Sequence, residues 1–340
     1  MMNATGSPYH FVRPEIIESL ALDDPFAGAE KQATRHAYAE VILEVGEQNE
    51  DVVVLDADVA KSIKTWNFGQ KYPDRWFNFG VAEQNMMAAA AGMATTGLIP
   101  FASTYAVFAS LRALDQVRNS IHYPRLNVKI AASHGGITPG PDGVTHQGQE
   151  DLSILRAIAN STVIVPSDPV TTKMAIRAMV DWDGPVYISF TRDPVPVLYT
   201  QDYPYEIGKA VVVRDGTDVT IVALRDLVAH ALVAADRLAG EGLRVRVIDC
   251  HTLKPLDEGI ILEAARETGA IVTAENNVNF GGLGSAVAEV LVENLPIPME
   301  RIGVRDTFAE SGPYLEVIDK YGLTAPHIAR AVRKVVARKG

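Results

Sequence analysis

Residues 127–149 of the 340-residue chain read NVKIAASHGGITPGPDGVTHQGQ, a short apolar segment followed at once by a loop rich in glycine and proline. The apolar part, residues 127–132, has the length of a buried strand. The loop carries two histidines and an aspartate, and loops that follow sheet strands are where functional side chains usually lie. The stretch therefore predicts a sheet with a functional loop at the end of one strand.

The rest of the chain repeats this alternation of strand and helix patterns. In the first half, strands are predicted at 52–55, 76–79, around 99, 127–132, 162–165 and 186–190, and helices at 31–48, 82–95, 105–122, 151–159 and from 168. In the second half, strands are predicted at 219–224, 245–248 and 270–274, and helices at 226–239, 257–267, 283–294 and 325–338. The alternation predicts two doubly wound α/β sheet domains, mostly parallel and covered by helices on both faces.

Proline positions define the domain boundaries. Pro194, Pro196 and Pro204 interrupt any regular element between 193 and 207, which is typical of a linker between domains. We predict an extended N-terminal arm at 1–30, a first domain at 31–193, a linker at 194–207 and a second domain at 208–340.

Composition limits the possible partners. The formal net charge of -11 and the pI near 5.2 disfavour non-specific attraction to nucleic acid or to an anionic membrane, so any bound phosphate needs a local basic pocket. The least polar window, residues 85–103, is weak for a membrane span, and the first 30 residues lack the pattern of a secretory signal. The single cysteine, Cys250, excludes an internal disulfide and is compatible with the cytoplasm.

Acidic, aromatic and histidine side chains follow several of the predicted strands. Glu83 begins an apolar helix, where the helix dipole alone favours an acid. Tyr105 and Phe108, spaced i, i+3 on a predicted helix, can supply a flat apolar wall together with Phe101. The loop histidines do not have the spacing of a zinc site.

The ordered combination of motifs resembles the transketolase family from about residue 31 to the C-terminus. The pyrimidine-binding part of that resemblance consists of AEQN at 82–85, SHGG at 133–136, DGVTHQ at 142–147, VPSD at 165–168 and TR at 191–192. The C-terminal part consists of HTLKPLD at 251–257, AENNVNFGGLGSAVAE at 274–289 and ESGPYLEVIDKYGLT at 310–324.

This resemblance implies thiamine diphosphate as the cofactor. Glu83 matches the family's activating glutamate, which hydrogen-bonds the aminopyrimidine ring nitrogen and needs a protonated or shared-proton carboxyl that a partly apolar site favours. Tyr105 and Phe108 match the aromatic side chains that stack on the pyrimidine, and Asp58 matches an acid near the cofactor. Leu111 stands where a third aromatic residue is common, so it is left out of the expected site.

The resemblance also implies a sugar-phosphate substrate. The residues that match the phosphate end are Arg35, Ser62, His134 and Arg192. The guanidinium fork of arginine suits a phosphate dianion. Asp142 is expected to hydrogen-bond a substrate hydroxyl, and His146 to lie nearer the reacting carbons and to stabilise or shuttle protons there as a catalytic residue.

The family's diphosphate and metal signature, Gly-Asp-Gly followed by Asn, does not occur in the sequence. We therefore expect no metal ligand in this chain and an N-terminal transketolase subunit that holds the diphosphate through Mg²⁺ or Ca²⁺. The resemblance to the family implies a heterotetramer in which the active site is shared between chains. The run Gly281-Gly282-Leu283-Gly284 lacks the remaining dinucleotide fingerprint and is interpreted as close helix packing.

Three alternatives remain beside the split transketolase. The pattern at 142–158 also resembles 1-deoxyxylulose 5-phosphate synthase, although His134 favours a transketolase. The beta subunit of 2-oxo-acid dehydrogenases has the same size and architecture but a less similar loop. A non-catalytic scaffold or regulatory subunit would be favoured by loss of Glu83 or of the loop histidines, and all of these are present.

Overall fold

The computed structural model describes residues 7–339 and contains two mainly parallel sheets with helices on both faces, as the sequence predicts. The strands are β1 Lys31–Gln32, β2 Val52–Asp56, β3 Trp76–Asn78, β4 Ile99–Tyr105, β5 Lys129–Ser133, β6 Thr162–Ile164, β7 Val186–Ser189, β8 Val195–Pro196, β9 Val211–Arg214, β10 Val219–Ala223, β11 Val245–Asp249, β12 Thr252–Lys254, β13 Ile271–Val278 and β14 Met299–Val304.

The helices are α1 Pro14–Ser19, α2 Thr34–Gln48, α3 Ala60–Ile63, α4 Trp66–Lys71, α5 Glu83–Ala94, α6 Leu114–Gln116, α7 Asp151–Ala157, α8 Pro169–Asp181, α9 Leu227–Ala239, α10 Glu258–Thr268, α11 Leu283–Asn294, α12 Tyr314–Lys320 and α13 Ala325–Val336. A short 3₁₀ turn spans Pro73–Arg75, and π-helical segments span Phe108–Arg112 and Val117–His122.

The first sheet has the order β12-β6-β7-β5-β4-β2-β3, and the second has the order β14-β13-β10-β11-β9. Within these two sheets, neighbouring strands run parallel except β12 against β6 and β9 against β11, and β1 pairs with β8 in a separate antiparallel two-stranded sheet. Strands β2, β5, β7 and β10 are buried along their whole length, which explains why they are continuous apolar or small-residue segments rather than alternating ones.

The two domains share a sheet and a core. Strand β12 follows β11 of the second sheet but pairs with β6 at the edge of the first sheet, and Lys254 Nζ donates to the carbonyls of Arg156 and Ile158 across the boundary. One apolar cluster joins Met86 of α5 with Leu253 of β12 and Leu283 of α11. The sequence pattern missed β12 because this strand is defined by its pairing with β6, which is distant in sequence.

The N-terminal segment belongs to the core of the second domain. Within residues 7–30, Pro14–Ser19 form a helix, and Tyr9, Ile16 and Leu20 are buried in the apolar cluster that also contains α9 and α13. Tyr9 donates its hydroxyl proton to Asp236 of α9. The predicted arm is thus extended only in part, and its residues 1–6 lie outside the described residues.

The predicted helix at 105–122 is wrong at its start. Strand β4 continues to Tyr105, because Ser103, Thr104 and Tyr105 pair with β5, and Phe108 begins the first π-helical segment. Tyr105 and Phe108 are therefore not two positions on one helix face, although their rings still stack.

A buried polar cluster joins the first domain, the linker and the second domain. Its members are Ser167, Tyr199, Tyr203 and Asp249, and the three hydroxyl groups all donate to the Asp249 carboxylate. Burial raises the pKa of Asp249 to about 7 although these hydroxyl donors oppose the shift. Asp249 thus titrates near neutral pH inside the folded protein.

This shift predicts that the Asp249 contribution to stability falls as the pH rises. The folded-state pKa near 7 lies above the ordinary value of about 4, so the folded chain binds the proton more tightly than the unfolded chain between these pH values. The contribution is present at low pH and lost as the pH passes 7. Asp249→Asn mimics the protonated carboxyl, so we expect it to remove part of the fall in Tm between pH 5 and 8, measured by calorimetry.

The control is Glu263→Gln on the exposed side of α10, which should leave the profile of Tm against pH unchanged. A profile for Asp249→Asn that parallels the wild-type profile would contradict the assignment.

Candidate active site

The candidate site lies at the carboxyl edge of the first sheet, where the strand order reverses between β2 and β4. Ligands of open α/β sheets bind in the crevice at such a point. A cleft of about 330 Å³ opens there and is lined by residues that include Asp58, Ser62, Trp76, Asn78 and Tyr105. Three of the residues predicted from the sequence therefore line one cleft.

The turn after β2 presents the Asp58 carboxylate to this cleft. Buried Asp56 organises the turn, because its carboxylate accepts the Val59 N–H and the Thr65 hydroxyl, both at 2.8 Å. Asp58 has a left-handed φ of 66°, and its N–H donates to Asn78 Oδ1 at 3.2 Å. The side chain of Asp58 is exposed, as a ligand-facing acid must be.

Glu83 is buried at the start of α5, with only 1% of its surface exposed. Thr104 Oγ1 donates to Glu83 Oε1 at 3.3 Å, and Arg112 donates to Glu83 Oε2 at 2.7 Å. Arg112 also lies over the Phe108 ring, with its guanidinium carbon 4.2 Å from the ring centroid. Arg112 covers Glu83 Oε2 in this structure, and its side chain is 42% exposed, so it has room to move when a ligand approaches this carboxylate.

Aromatic and imidazole rings form a continuous wall beside Glu83. Tyr105 stacks on Phe108 at 5.6 Å and on His134 at 3.8 Å between ring centroids. His146 meets the edge of Phe108 at 5.6 Å. Phe101, by contrast, is a core residue that stacks on Tyr38, so it lies outside the wall.

Two arginine side chains, Arg35 and Arg192, lie near His134. Arg35 donates to Ser62 Oγ at 2.9 Å, and Arg192 Nε donates to Asp142 Oδ2 at 2.8 Å. Burial, followed by the charge of Arg192, lowers the pKa of Arg35, so the two guanidinium groups lie close enough to repel each other. Arg192 also pairs with Asp193 Oδ1 at 2.7 Å, so two aspartates already face its guanidinium group.

His134 lies at this corner as a neutral imidazole. Burial, and then the charges of Arg35 and Arg192, lower its pKa to about 2. Its Nε2 lies 3.6 Å from Asp142 Oδ2, and its Nδ1 pairs with Ser133 Oγ at 2.9 Å. The neutral ring can therefore donate or accept one hydrogen bond toward a ligand without adding charge.

The ten predicted site residues lie on α2, α3, α5, β4 and the first π-helical segment and in the loops that follow β2, β5 and β7. Sequence reasoning missed Arg112 and Thr104, the two partners of Glu83. Arg112 follows Phe108 by four residues, a spacing that could have indicated it. Thr104 carried no such signal. Leu111, which was left out of the expected site, is 48% exposed.

The glycine run at 281–284 packs against an internal carboxylate. Glu275 accepts the N–H groups of Leu283 and Gly284 at the start of α11, at 3.0 and 2.8 Å. A Cβ at Gly282 would lie 2.1 Å from Glu275 Oε2, so only glycine fits. The interpretation as close helix packing is confirmed, because Glu275 occupies the place where a phosphate would bind.

Comparison with known proteins identifies the family of this α/β chain. Residues 30–197 match the family model of the transketolase pyrimidine-binding domain, and residues 208–328 match that of the transketolase C-terminal domain. The chain belongs to the transketolase family.

Two curated relatives are similar over almost their whole length. A 6-deoxy-6-sulfo-D-fructose transketolase subunit of Clostridium sp. (strain MSTE9) is 43% identical, with 94% of this chain and 99% of the relative covered. An apulose-4-phosphate transketolase subunit of Phocaeicola vulgatus is 34% identical, with 90% and 98% covered. A solved structure described as a split gene transketolase, inactive beta4 tetramer, is 49% identical, has a TM-score of 0.85 and is covered to 99%, with 91% of this chain.

The chain also matches 1-deoxy-D-xylulose-5-phosphate synthases, of which it covers about half the length. Over residues 7–339, none of the helices is both long and apolar enough to cross a membrane. In the same residues, no group of three or more His, Cys, Asp or Glu side chains could hold a metal ion.

The arrangement of Arg35 and Arg192 predicts an anion site on the isolated chain. We expect Arg192→Met to weaken binding of inorganic phosphate at least about tenfold, because a hydrogen bond to a charged group contributes about 1.5–3 kcal/mol and because the variant removes the cation that faces Asp142 and Asp193. Calorimetric titration with phosphate measures the change.

Arg177→Met is the matched control, because Arg177 pairs with Glu44 on an exposed helix surface. Equal phosphate affinity in the two variants would show that the corner does not bind the anion.

Proposed function

We propose that this chain is the C-terminal subunit of a split transketolase, which transfers a two-carbon ketol unit from a ketose phosphate to an aldose phosphate. The observation that carries the proposal is the arrangement along one sheet edge. Buried Glu83 lies beside the Tyr105 and Phe108 rings, and the Arg35 and Arg192 guanidinium groups lie beyond His134. Glu83 with the two aromatic rings would face a cofactor ring, and the two arginines would face a phosphate, with the reacting centre between them.

The residues present fit the pyrimidine end of thiamine diphosphate. A stacked aromatic wall with a buried carboxylate beside it is the environment that an aminopyrimidine requires. Glu83 would hold the ring nitrogen once Arg112 has moved aside, and Asp58 would lie at the mouth of the cleft. Thiamine diphosphate supplies the electron sink that stabilises the transferred carbanion.

The chain's own groups would bind the sugar phosphate and move protons. Arg35, Arg192 and Ser62 would hold the phosphate, and neutral His134 would donate one hydrogen bond to it or to the adjacent hydroxyl. Asp142 would accept a hydrogen bond from a substrate hydroxyl. His146 lies at the end of the aromatic wall, where it could exchange a proton with the reacting oxygen atoms.

An N-terminal transketolase subunit would complete the site. Two relatives are named transketolase subunits, and a solved neighbour is described as a split gene transketolase in an inactive beta4 form. Trp66, Phe77, Val81 and Leu111 are large apolar side chains that are at least a third exposed and follow β2, β3 or β4. Such a surface suits a protein partner. The partner would hold the diphosphate through Mg²⁺ or Ca²⁺, in a cytoplasmic heterotetramer of two copies of each subunit.

The sugar is the least constrained part of the proposal. The relatives are named for a sulfofructose and for apulose 4-phosphate, so the family accepts different anionic sugars. We expect xylulose 5-phosphate and ribose or erythrose phosphates as first substrates to test. Synthase activity is the second candidate, because the chain matches those enzymes over about half their length.

The central experiment measures ketol transfer from xylulose 5-phosphate to ribose 5-phosphate with thiamine diphosphate, Mg²⁺, this chain and a candidate N-terminal subunit. The wild-type mixture should be active and each subunit alone inactive. Glu83→Gln should lower kcat at least about 100-fold, the range expected for loss of an acid–base group, while the complex still assembles.

The control is Glu47→Gln, because Glu47 is exposed and its ion-pair partner among the described residues is the equally exposed Lys71. Full activity in Glu83→Gln, or activity of this chain alone, would be inconsistent with the proposal. Turnover of pyruvate with glyceraldehyde 3-phosphate in place of ketol transfer would favour the synthase.

A further inference from the structure

The second domain has its own crevice, and part of the first domain fills it. In the second sheet, the strand order reverses between β10 and β13, which is where a doubly wound sheet normally binds a ligand. Arg225 follows β10, and Asn276 and Asn277 lie near the carboxyl end of β13. These three side chains are fully buried and face the loop at 133–149 of the first domain.

Arg225 is the largest fully buried side chain among the described residues. Its Nη1 donates to Asn276 Oδ1 and, at 2.8 Å, to Asn277 Oδ1, and its Nη2 donates to Ser189 Oγ of β7 at 2.8 Å. Its backbone has a left-handed φ of 54°, which is uncommon for a residue with a side chain. The hydrogen bonds of this buried guanidinium group therefore connect β13 of the second domain to β7 of the first domain.

The guanidinium packs directly against the backbone beside His134. A Cβ at Gly135 would lie 2.1 Å from Ser189 Oγ and 2.6 Å from Arg225 Nη2, and a Cβ at Gly136 would lie 2.7 Å from Arg225 Nη1. The Ile137 N–H donates to the Asn276 carbonyl at 3.2 Å. The two glycines therefore allow Arg225 to reach the chain immediately after His134.

The same network holds the other end of the loop. Asn277 Nδ2 donates to the carbonyls of Gly148 and Gln149 and, at 2.6 Å, to Asp151 Oδ1. Asp151 in turn accepts a hydrogen bond from the Ser189 hydroxyl, and the oxygen of that hydroxyl accepts a hydrogen bond from Arg225. Gly136 and Gly148 close the loop at its neck, where the Gly136 N–H donates to the Gly148 carbonyl at 2.9 Å.

We propose that Arg225 is a positioning residue of the active site: by bracing Gly135 and Gly136 from the second domain, it fixes His134 against Tyr105 and toward the sugar-phosphate corner. Arg225 is fully buried, so it would act through the loop rather than by direct contact with a ligand. The inference rests on the proposed function for its kinetic consequence, but its structural consequence concerns this chain alone.

The position of His134 explains why a small loss of bracing matters. Its ring centroid lies 3.8 Å from that of Tyr105, and its own φ of 66° is left-handed, so the residue is held in a conformation that the free chain disfavours. If the hydrogen bond between Gly136 and Gly148 opens, His134 can leave this conformation. The proposed phosphate site then loses the imidazole as one of its binding groups. The cofactor-side residues Glu83 and Phe108 lie on other elements and should be unaffected.

The test compares Arg225→Met and Arg225→Lys with a matched control, Lys254→Met. Lys254 is also a basic residue that crosses the domain boundary, with two hydrogen bonds to main-chain carbonyls, but it lies at the sheet edge formed by β12 and β6. All three substitutions should lower Tm. Hydrogen–deuterium exchange of residues 134–148 is measured on the chain alone, and KM and kcat are measured in the two-subunit complex.

We expect Arg225→Met to increase amide exchange in residues 134–148 at least tenfold and to raise KM for the sugar phosphate at least tenfold, with the affinity for thiamine diphosphate changed less than about twofold. Arg225→Lys, which keeps the charge but not the forked geometry, should lie in between. Lys254→Met should change neither quantity. Exchange and KM that match those of Lys254→Met would reduce Arg225 to a structural role and overturn the proposal.

The two proposals can fail separately. If the wild-type complex has no transferase activity, the proposed function is wrong, and the exchange experiment still decides whether Arg225 braces the loop. If the wild type is active and Arg225→Met shows normal exchange and KM, only the positioning role is lost. Should Arg225→Met not fold, Gly135→Ala tests the same contact from the other side, since its Cβ would collide with Arg225 and Ser189.

Discussion

The burial of one positive charge, on Arg225, is the constraint on which the active-site loop depends. A guanidinium removed from water needs hydrogen-bond acceptors, and those of Arg225 Nη1 and Nη2 come from β13 and β7, which belong to different sheets, whereas its Nε has no hydrogen-bond partner among the described residues. The carboxyl ends of the two sheets are therefore held against each other. Because the loop at 133–149 runs through this junction, the second domain determines the shape of a site whose chemical groups lie in the first.

Charge is separated along the site in a way that suits its proposed chemistry. At one end, Glu83 is buried and its carboxylate is held by Arg112 and Thr104, while at the other end Arg35 and Arg192 face the same space. His134 lies in between and stays neutral because burial and both arginines oppose its protonation. The proposed sugar-phosphate site therefore lies at the arginine end, away from the Glu83 carboxylate.

The sequence predicted the parts of this structure that local patterns encode. Nine of the fourteen strands in the described residues and most of the longer helices follow from apolar patterns and from glycine and proline positions, whereas the candidate site residues follow from the resemblance to the transketolase family. The helix pattern failed at Tyr105, where cross-strand pairing with β5 extended β4. Strand β12 and the partners of Glu83 were missed because they depend on contacts between segments distant in sequence. Arg225 had no local signal, since its role exists only once two sheets meet.

The most direct test of the account is a crystal structure of this chain in complex with its N-terminal subunit, thiamine diphosphate and Mg²⁺. The account predicts the pyrimidine ring against Tyr105 and Phe108, its ring nitrogen within hydrogen-bond distance of Glu83, Arg112 turned away from that carboxylate, and the metal bound by the other subunit. A cofactor bound elsewhere, or a Glu83 that keeps Arg112 as its partner while the cofactor is bound, would contradict it.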